Sequence, residues 1–208
     1  MFFSPSFANK SSSSKDNFDI KFKKAIELIK RNHSIVAPKV LEAIDLHRIT
    51  VNSFFNMSEE HYQEMQEDML EENSIILPTE YPPTAEAVKL IEGKLSGIIY
   101  EDKHIYLSSR QTTQEIASTL VHEICHFLNR DIYRRERKTS SSQLFRYKDE
   151  VRSFTAEKIF ERDGHCLRRS DIKKIHTRVA KAYSEFLQPN EDTQKLGYIY
   201  SSFDAPMK

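Results

Sequence analysis

Residues 119–130 read TLVHEICHFLNR, and the fold and the chemistry both turn on how this stretch is wound. On a helix at 100° per residue, Ile116, Leu120, Ile124 and Phe127 fall within a sector of about 80°, widened by Val121 and Leu128. His122 and His126 fall within about 40° of each other on the far side of that stripe. One face is therefore anchored in a core while two imidazoles project together from the other. Residues at i and i+4 have Cβ atoms ~6 Å apart, so both imidazoles can hold one ion at metal–nitrogen distances of about 2.0–2.1 Å. Zinc accepts neutral imidazole well. Glu123, one position along, cannot easily share that ion but can reach a water held on it, where a general base is needed.

Outward from this helix, the preceding segment GIIYEDKHIYLSS carries two short apolar runs, Ile98 to Tyr100 and Ile105 to Leu107. They flank EDKH and predict a β-hairpin. Further upstream, Phe18, Phe22, Ile26 and Ile29 recur at helical spacing, and APKVLEAIDLHRI predicts a second helix with Pro38 in its first turn. RITVNSFF and SIIL read as strands, the second ended by the Pro-rich PTEYPPT. Ser58 is an N-cap candidate for the acidic helix in MSEEHYQEMQEDMLEEN, whose charges read as a solvated face. TAEAVKLIEGKL predicts another helix. Downstream, DIYRRERKTSSSQLFR reads as a polar loop, YKDEVRSFTAEKIFER as a helix closed by Asp163-Gly164, and RSDIKKIHTRVAKAYSEFL as the last long helix. No internal repeat is present.

The chain has 208 residues, enough for a single domain with a real core. Its formal net charge is zero, which argues against nucleic acid or an anionic membrane as the main partner. Four glycines and no Trp suit a helix-rich chain. Two cysteines, Cys125 and Cys166, make no disulfide framework and read as reduced thiols, with Cys125 a packing residue. The pair His165-Cys166 lacks a partner spacing such as C-x-x-C, so it is not read as a metal site. The basic runs RRERK and RRSDIKK have no interleaved aromatics and read as solvated faces. MFFSPSFANKSSSSKDN lacks the layout of a secretory signal, and no stretch approaches 18 apolar residues.

HEICH behind the strand HIYLS resembles the zincin superfamily of zinc metallopeptidases, over roughly residues 97–162. The resemblance implies an edge strand lying over the cleft and presenting backbone to a peptide substrate, here Ile105, Tyr106 and Leu107. It implies zinc held by His122 and His126, catalysis through Glu123, and a third protein ligand with an open fourth position for water. FLNRDIYRRE after His126 lacks the Gly and His of the extended metzincin motif, which excludes that subclass. The gluzincin arrangement takes a Glu from a later helix. Glu150, 24 residues beyond His126 in a segment EVRSF similar to such ligand helices, is the first choice. Glu157, two turns on, is the second choice or an orienting partner of a ligand His. Asp149 points about 100° away from Glu150. Zincins often stabilise the oxyanion with a Tyr or His outside the motif, and Tyr183, Tyr198, Tyr200, His165 and His176 are open candidates.

The expected fold is thus α+β: mostly helices with a small sheet, a disordered Ser-rich tail over 1–16, and one zincin-like domain over 17–208. The expected function is a zinc-dependent endopeptidase acting on a protein or peptide substrate, as a monomer, with no membrane or nucleic-acid partner. Two alternatives stay open. One is a zincin-fold regulatory or effector module acting by contact; the other is a DNA-associated protease using the basic C-terminal helix. The expected localisation is cytoplasmic, or delivery from the cytoplasm by a non-classical secretion route.

Overall fold

The computed structural model describes residues 11–100, 103–139 and 144–182. The chain folds as α1 (Ser11–Arg31), α2 (Val36–His47), β1 (Thr50–Ser53), a 3-10 turn (Phe54–Asn56), α3 (Glu59–Asn73) and α4 (Ala85–Glu92). There follow β2 (Gly97–Ile99), β3 (His104–Leu107), α5 (Thr113–Thr139), α6 (Leu144–Glu161) and α7 (Arg169–Ala182). This is a mostly helical α+β fold with a small three-stranded mixed sheet. No helix among the described residues is long and apolar enough to cross a membrane.

The strand order is β1-β3-β2. β2 and β3 pair antiparallel with Ile98 opposite Tyr106, the expected hairpin. β1 pairs parallel with β3, with Val51 opposite Ile105. This corrects one expectation: β3 is the central strand, and the hairpin's other arm, β2, lies at an edge of the sheet. The physical reason is burial. Ile105 and Leu107 point into the core formed with α1, α2 and α5, while Tyr106 points into a second core with Phe54, Met65 and Ile91. A strand apolar on both faces is most stable when both of its edges are paired as well. Ile105, Tyr106 and Leu107 are therefore fully buried and unavailable to a substrate.

Three further expectations are corrected. SIIL (residues 74–77) forms no strand: Leu77 is buried while Ile76 is 81% exposed, and the segment runs past the sheet without joining its ladder. Most of the polar stretch after Arg130 is helix, because α5 continues to Thr139 and α6 starts at Leu144; residues 140–143 lie outside the described residues. Arg, Glu and Lys are good helix formers, and Glu136 on this extension pairs with Arg152 of α6 at 2.7 Å. Finally, Ser11–Asp16 of the expected tail belong to α1, since extending an anchored helix costs far less than nucleating one. The rest of that tail lies outside the described residues.

α5 is the centre of the molecule and packs on α6, α1, α2 and β2. It starts at a reciprocal cap. Thr112 Oγ1 accepts from the Glu115 amide at 3.3 Å, and Glu115 Oε2 accepts from the Thr112 amide at 2.7 Å. Ile116, Leu120, Val121 and Ile124 are fully buried, as the stripe predicts. The turn that follows α6 passes through Asp163 and Gly164, both with positive φ. A Cβ at Gly164 would sit 2.9 Å from the His33 carbonyl oxygen, so this turn needs glycine for space as well as for φ. The Asp163 carboxylate accepts from the His33 amide at 2.7 Å, which ties the end of α6 to the junction of α1 and α2.

Candidate metal centre

α5 and α6 pack so that rising numbers on one meet falling numbers on the other. His126 faces Asp149 and Glu150, and His122 faces Glu157. This antiparallel pairing brings the His pair against a row of carboxylates. One donor atom from each of His122, His126 and Glu150 lies within 4.8 Å of the others. The two Nε2 atoms are 3.1 Å apart. Glu150 Oε2 is 3.5 Å from His122 Nε2, and Oε1 is 3.8 Å from His126 Nε2. A tetrahedral ion with bonds of about 2.0–2.1 Å needs donor–donor edges of about 3.3 Å, so the three side chains fit one ion with small adjustments.

The outer nitrogen of His126 is hydrogen-bonded to a carboxylate, and that of His122 faces one without a formed hydrogen bond. His126 Nδ1 donates to Asp149 Oδ2 at 2.7 Å. His122 Nδ1 faces Glu157 Oε2 at 3.5 Å, and Arg178 of α7 donates to the other oxygen of Glu157 at 3.0 Å. A carboxylate on Nδ1 keeps the proton on that nitrogen and turns the bare Nε2 inward, the usual outer support of a metal-binding histidine. Phe154 packs edge-on against the His122 ring with centroids 4.5 Å apart, and the Arg178 guanidinium stacks over Phe154 at 4.1 Å.

Charge demand points the same way. Burial by itself would push the His122 imidazole down, but the Glu150 and Glu157 carboxylates outweigh it and hold the pKa up to about 10. His126 is likewise depressed by burial and raised by more through Glu150 and Asp149. Burial pushes the Glu157 carboxyl up, but His122 and Arg178 together hold it below its usual range. Two facing lone pairs among carboxylates call for a cation between them, either a proton or a metal ion.

Glu123 is buried and stands outside the group of three donors. Burial pushes its carboxyl up, and the two histidines draw it back by less. Its Oε1 lies against β2: a Cβ at Gly97 would come within 3.1 Å of it, and within 2.7 Å of Thr119 Cγ2 and 2.8 Å of Leu107 Cδ2. Gly97 thus lets the edge strand approach the motif helix. A cavity of about 460 Å³ opens over His122, Glu123, His126 and Glu150, and Gly97, Ile98 and Ile99 line it too.

His122, Glu123, His126, Glu150 and Glu157 lie in one cluster. Asp149, about 100° from Glu150 around the helix, also reaches it, with a 2.7 Å contact to His126 Nδ1. Of the oxyanion candidates, His165 is exposed and His176 is bound to the Tyr147 hydroxyl at 2.6 Å, and neither lines the cavity. Tyr183, Tyr198 and Tyr200 lie outside the described residues. Tyr100 and Tyr133 do line the cavity, and the position of Tyr133, two turns beyond His126, is the signal that marks it. Cys125 is fully buried with Asn129 Nδ2 3.1 Å from its sulfur, and burial pushes its thiol up, so it is a packing residue. Cys166 is exposed.

No family model, curated protein or solved structure matches this chain. The side-chain arrangement itself is therefore the basis for a functional reading.

Proposed function

We propose that this protein is a zinc-dependent endopeptidase of the zincin type. The observation that carries the reading is the convergence of His122 Nε2, His126 Nε2 and Glu150 within 4.8 Å, with the Glu123 carboxyl buried beside them. His122, His126 and Glu150 would hold the ion, and Asp149 and Glu157 would orient the two imidazoles. When bound, zinc supplies Lewis acidity and brings the pKa of water toward neutrality.

Glu123 is the residue that would hold a proton from water at a carboxylate oxygen and give it up to the leaving amine. A carboxyl raised by burial suits both tasks, because an acid–base group works best with a pKa near the working pH. β2 has one edge unpaired among the described strands, and its residues line the cavity. An extended substrate can add there as a further strand, with its backbone running past Glu123. This moves the substrate-binding role from Ile105, Tyr106 and Leu107 to Gly97, Ile98 and Ile99.

The test combines metal content with turnover. Protein prepared with zinc should carry about one ion per chain, and His126→Ala should lose most of it. Glu123→Gln should keep zinc and fold but lose cleavage of a denatured protein substrate by about 10²–10⁴-fold, because an amide accepts no proton. A wild type without metal, or a Glu123→Gln variant with normal turnover, refutes the reading.

A further inference from the structure

Past His126, α5 continues for more than three turns, and α6 begins beside its far end. Arg130 and Arg134 on the α5 extension and Arg146 on the first turn of α6 line the same cavity as the His pair. All three lie toward the α5–α6 connection, away from Glu157. Aromatic rings back this end of the cavity. The Arg130 guanidinium stacks over the Phe127 ring at 4.3 Å, and Tyr133 packs edge-on against Phe145, next to Arg146, with centroids 5.2 Å apart.

Arg130 and Arg146 are not there to neutralise neighbouring acids. Glu136, on the same extension, is already taken by two nitrogens of Arg152 at 3.0 and 2.7 Å and by Lys148 at 3.6 Å. Among the described residues, Arg130 and Arg146 form no ion pair. Among the described residues, of the carboxylates lining the cavity, Glu123, Asp149 and Glu150 are gathered at the histidines, and Glu72 stands exposed at the end of α3. One end of the cavity is thus cationic beside an otherwise acidic centre.

We propose that this end is a carboxylate-recognising subsite, so that the preferred substrates are peptides with a carboxylate near the cleaved bond. The proposal rests on the peptidase reading. Guanidinium groups bind carboxylates through paired parallel hydrogen bonds, which is the chemistry an acidic residue offers. Spacing sets the reach. Arg130 and Arg134 lie one and two turns beyond His126, about 6 and 12 Å at 1.5 Å per residue. An extended peptide advances about 3.3 Å per residue, so the carboxylate stands roughly two to four residues from the bond. It belongs either to an Asp or Glu side chain or to the peptide's C-terminus.

The experiment uses a synthetic peptide pool randomised at its central positions, made with free-acid and with amidated C-termini. The pool is passed over Glu123→Gln protein prepared with zinc, and the retained peptides are sequenced. The same pool is digested with wild type. The expected result is an enrichment of about tenfold in peptides bearing the carboxylate, lost when Arg130→Gln and Arg146→Gln are combined in the binding protein. Enrichment of internal Asp and Glu in both pools assigns the side chain as the source; enrichment confined to free-acid peptides assigns the C-terminus. Retention without acidic preference, or a preference that survives loss of both arginines, overturns the proposal. Arginine-dependent retention with no cleavage by wild type leaves the subsite standing and removes the peptidase reading.

Discussion

Replacing each of three neighbouring carboxylates by its amide should separate their roles at the metal centre. Glu150 approaches the inward nitrogens of both histidines, whereas Asp149 and Glu157 sit on the outward Nδ1 atoms. Losing a direct ligand removes a bond and a charge. Zinc sites are worth about 10–16 kcal/mol in apparent terms, and an equal share among three protein ligands is about 3–5 kcal/mol. Glu150→Gln should therefore weaken zinc by roughly 10²–10⁴-fold at ~1.4 kcal/mol per decade. An outer carboxylate typically contributes 10–100-fold, about 1.4–2.7 kcal/mol. Asp149→Asn should fall at the upper end of that range, since its contact is 2.7 Å and well formed. Glu157→Gln should fall at the lower end, because its contact to His122 is 3.5 Å and its other oxygen is engaged by Arg178. Titration of the metal-free variants against a competing chelator, with circular dichroism to verify the fold, gives the order Glu150, Asp149, Glu157. A larger loss in Glu157→Gln than in Glu150→Gln would make Glu157 the ligand, and negligible losses in all three would remove α6 from the metal centre.

Gly97→Ala should keep zinc yet cut turnover and lower stability by about 1–3 kcal/mol, because its Cβ overlaps Thr119, Leu107 and the Glu123 carboxylate; unchanged turnover would mean that β2 does not abut the reacting groups. Ile124→Ala, fully buried between the α5 stripe and its neighbours, should cost about 2–5 kcal/mol in urea unfolding, and a cost under 0.5 kcal/mol would argue that the helix is wound in another phase. Zinc uptake near neutral pH should release protons, since His122 stays protonated in the metal-free protein until the pH rises through about 10. Apparent zinc affinity should therefore climb with pH across the neutral range, and calorimetry in buffers of different ionisation enthalpy would detect the released protons; pH-independent binding without release would contradict the charge balance of the site.

The local part of the site was legible in the residues themselves. Four positions on a helix make one turn, so His122 and His126 had to share a face whatever the rest of the chain did. The same rule put Glu150 and Glu157 on one side of the next helix. Capping residues announced their helices too: Ser58 accepts from the His61 amide at 3.2 Å, as its position before the acidic run suggested. Other features depended on segments far apart in the chain. Helix phase set Asp149 aside, because it points away from Glu150. Yet an imidazole has two nitrogens on different sides of its ring, and once α6 packs on α5, adjacent residues reach the same histidine at different atoms. The order of the strands was equally non-local. HIYL reads the same at an edge or a centre, and only pairing with Thr50–Ser53, about a quarter of the chain upstream, buried its second edge and left β2 beside the cavity. The cationic end was hidden because the polar run DIYRRERKTSSSQLFR lacks an apolar stripe and reads as a loop, although its Arg, Glu and Lys favour helix. It becomes a wall only through helix–helix contacts that no single segment carries, and tertiary packing alone can supply them.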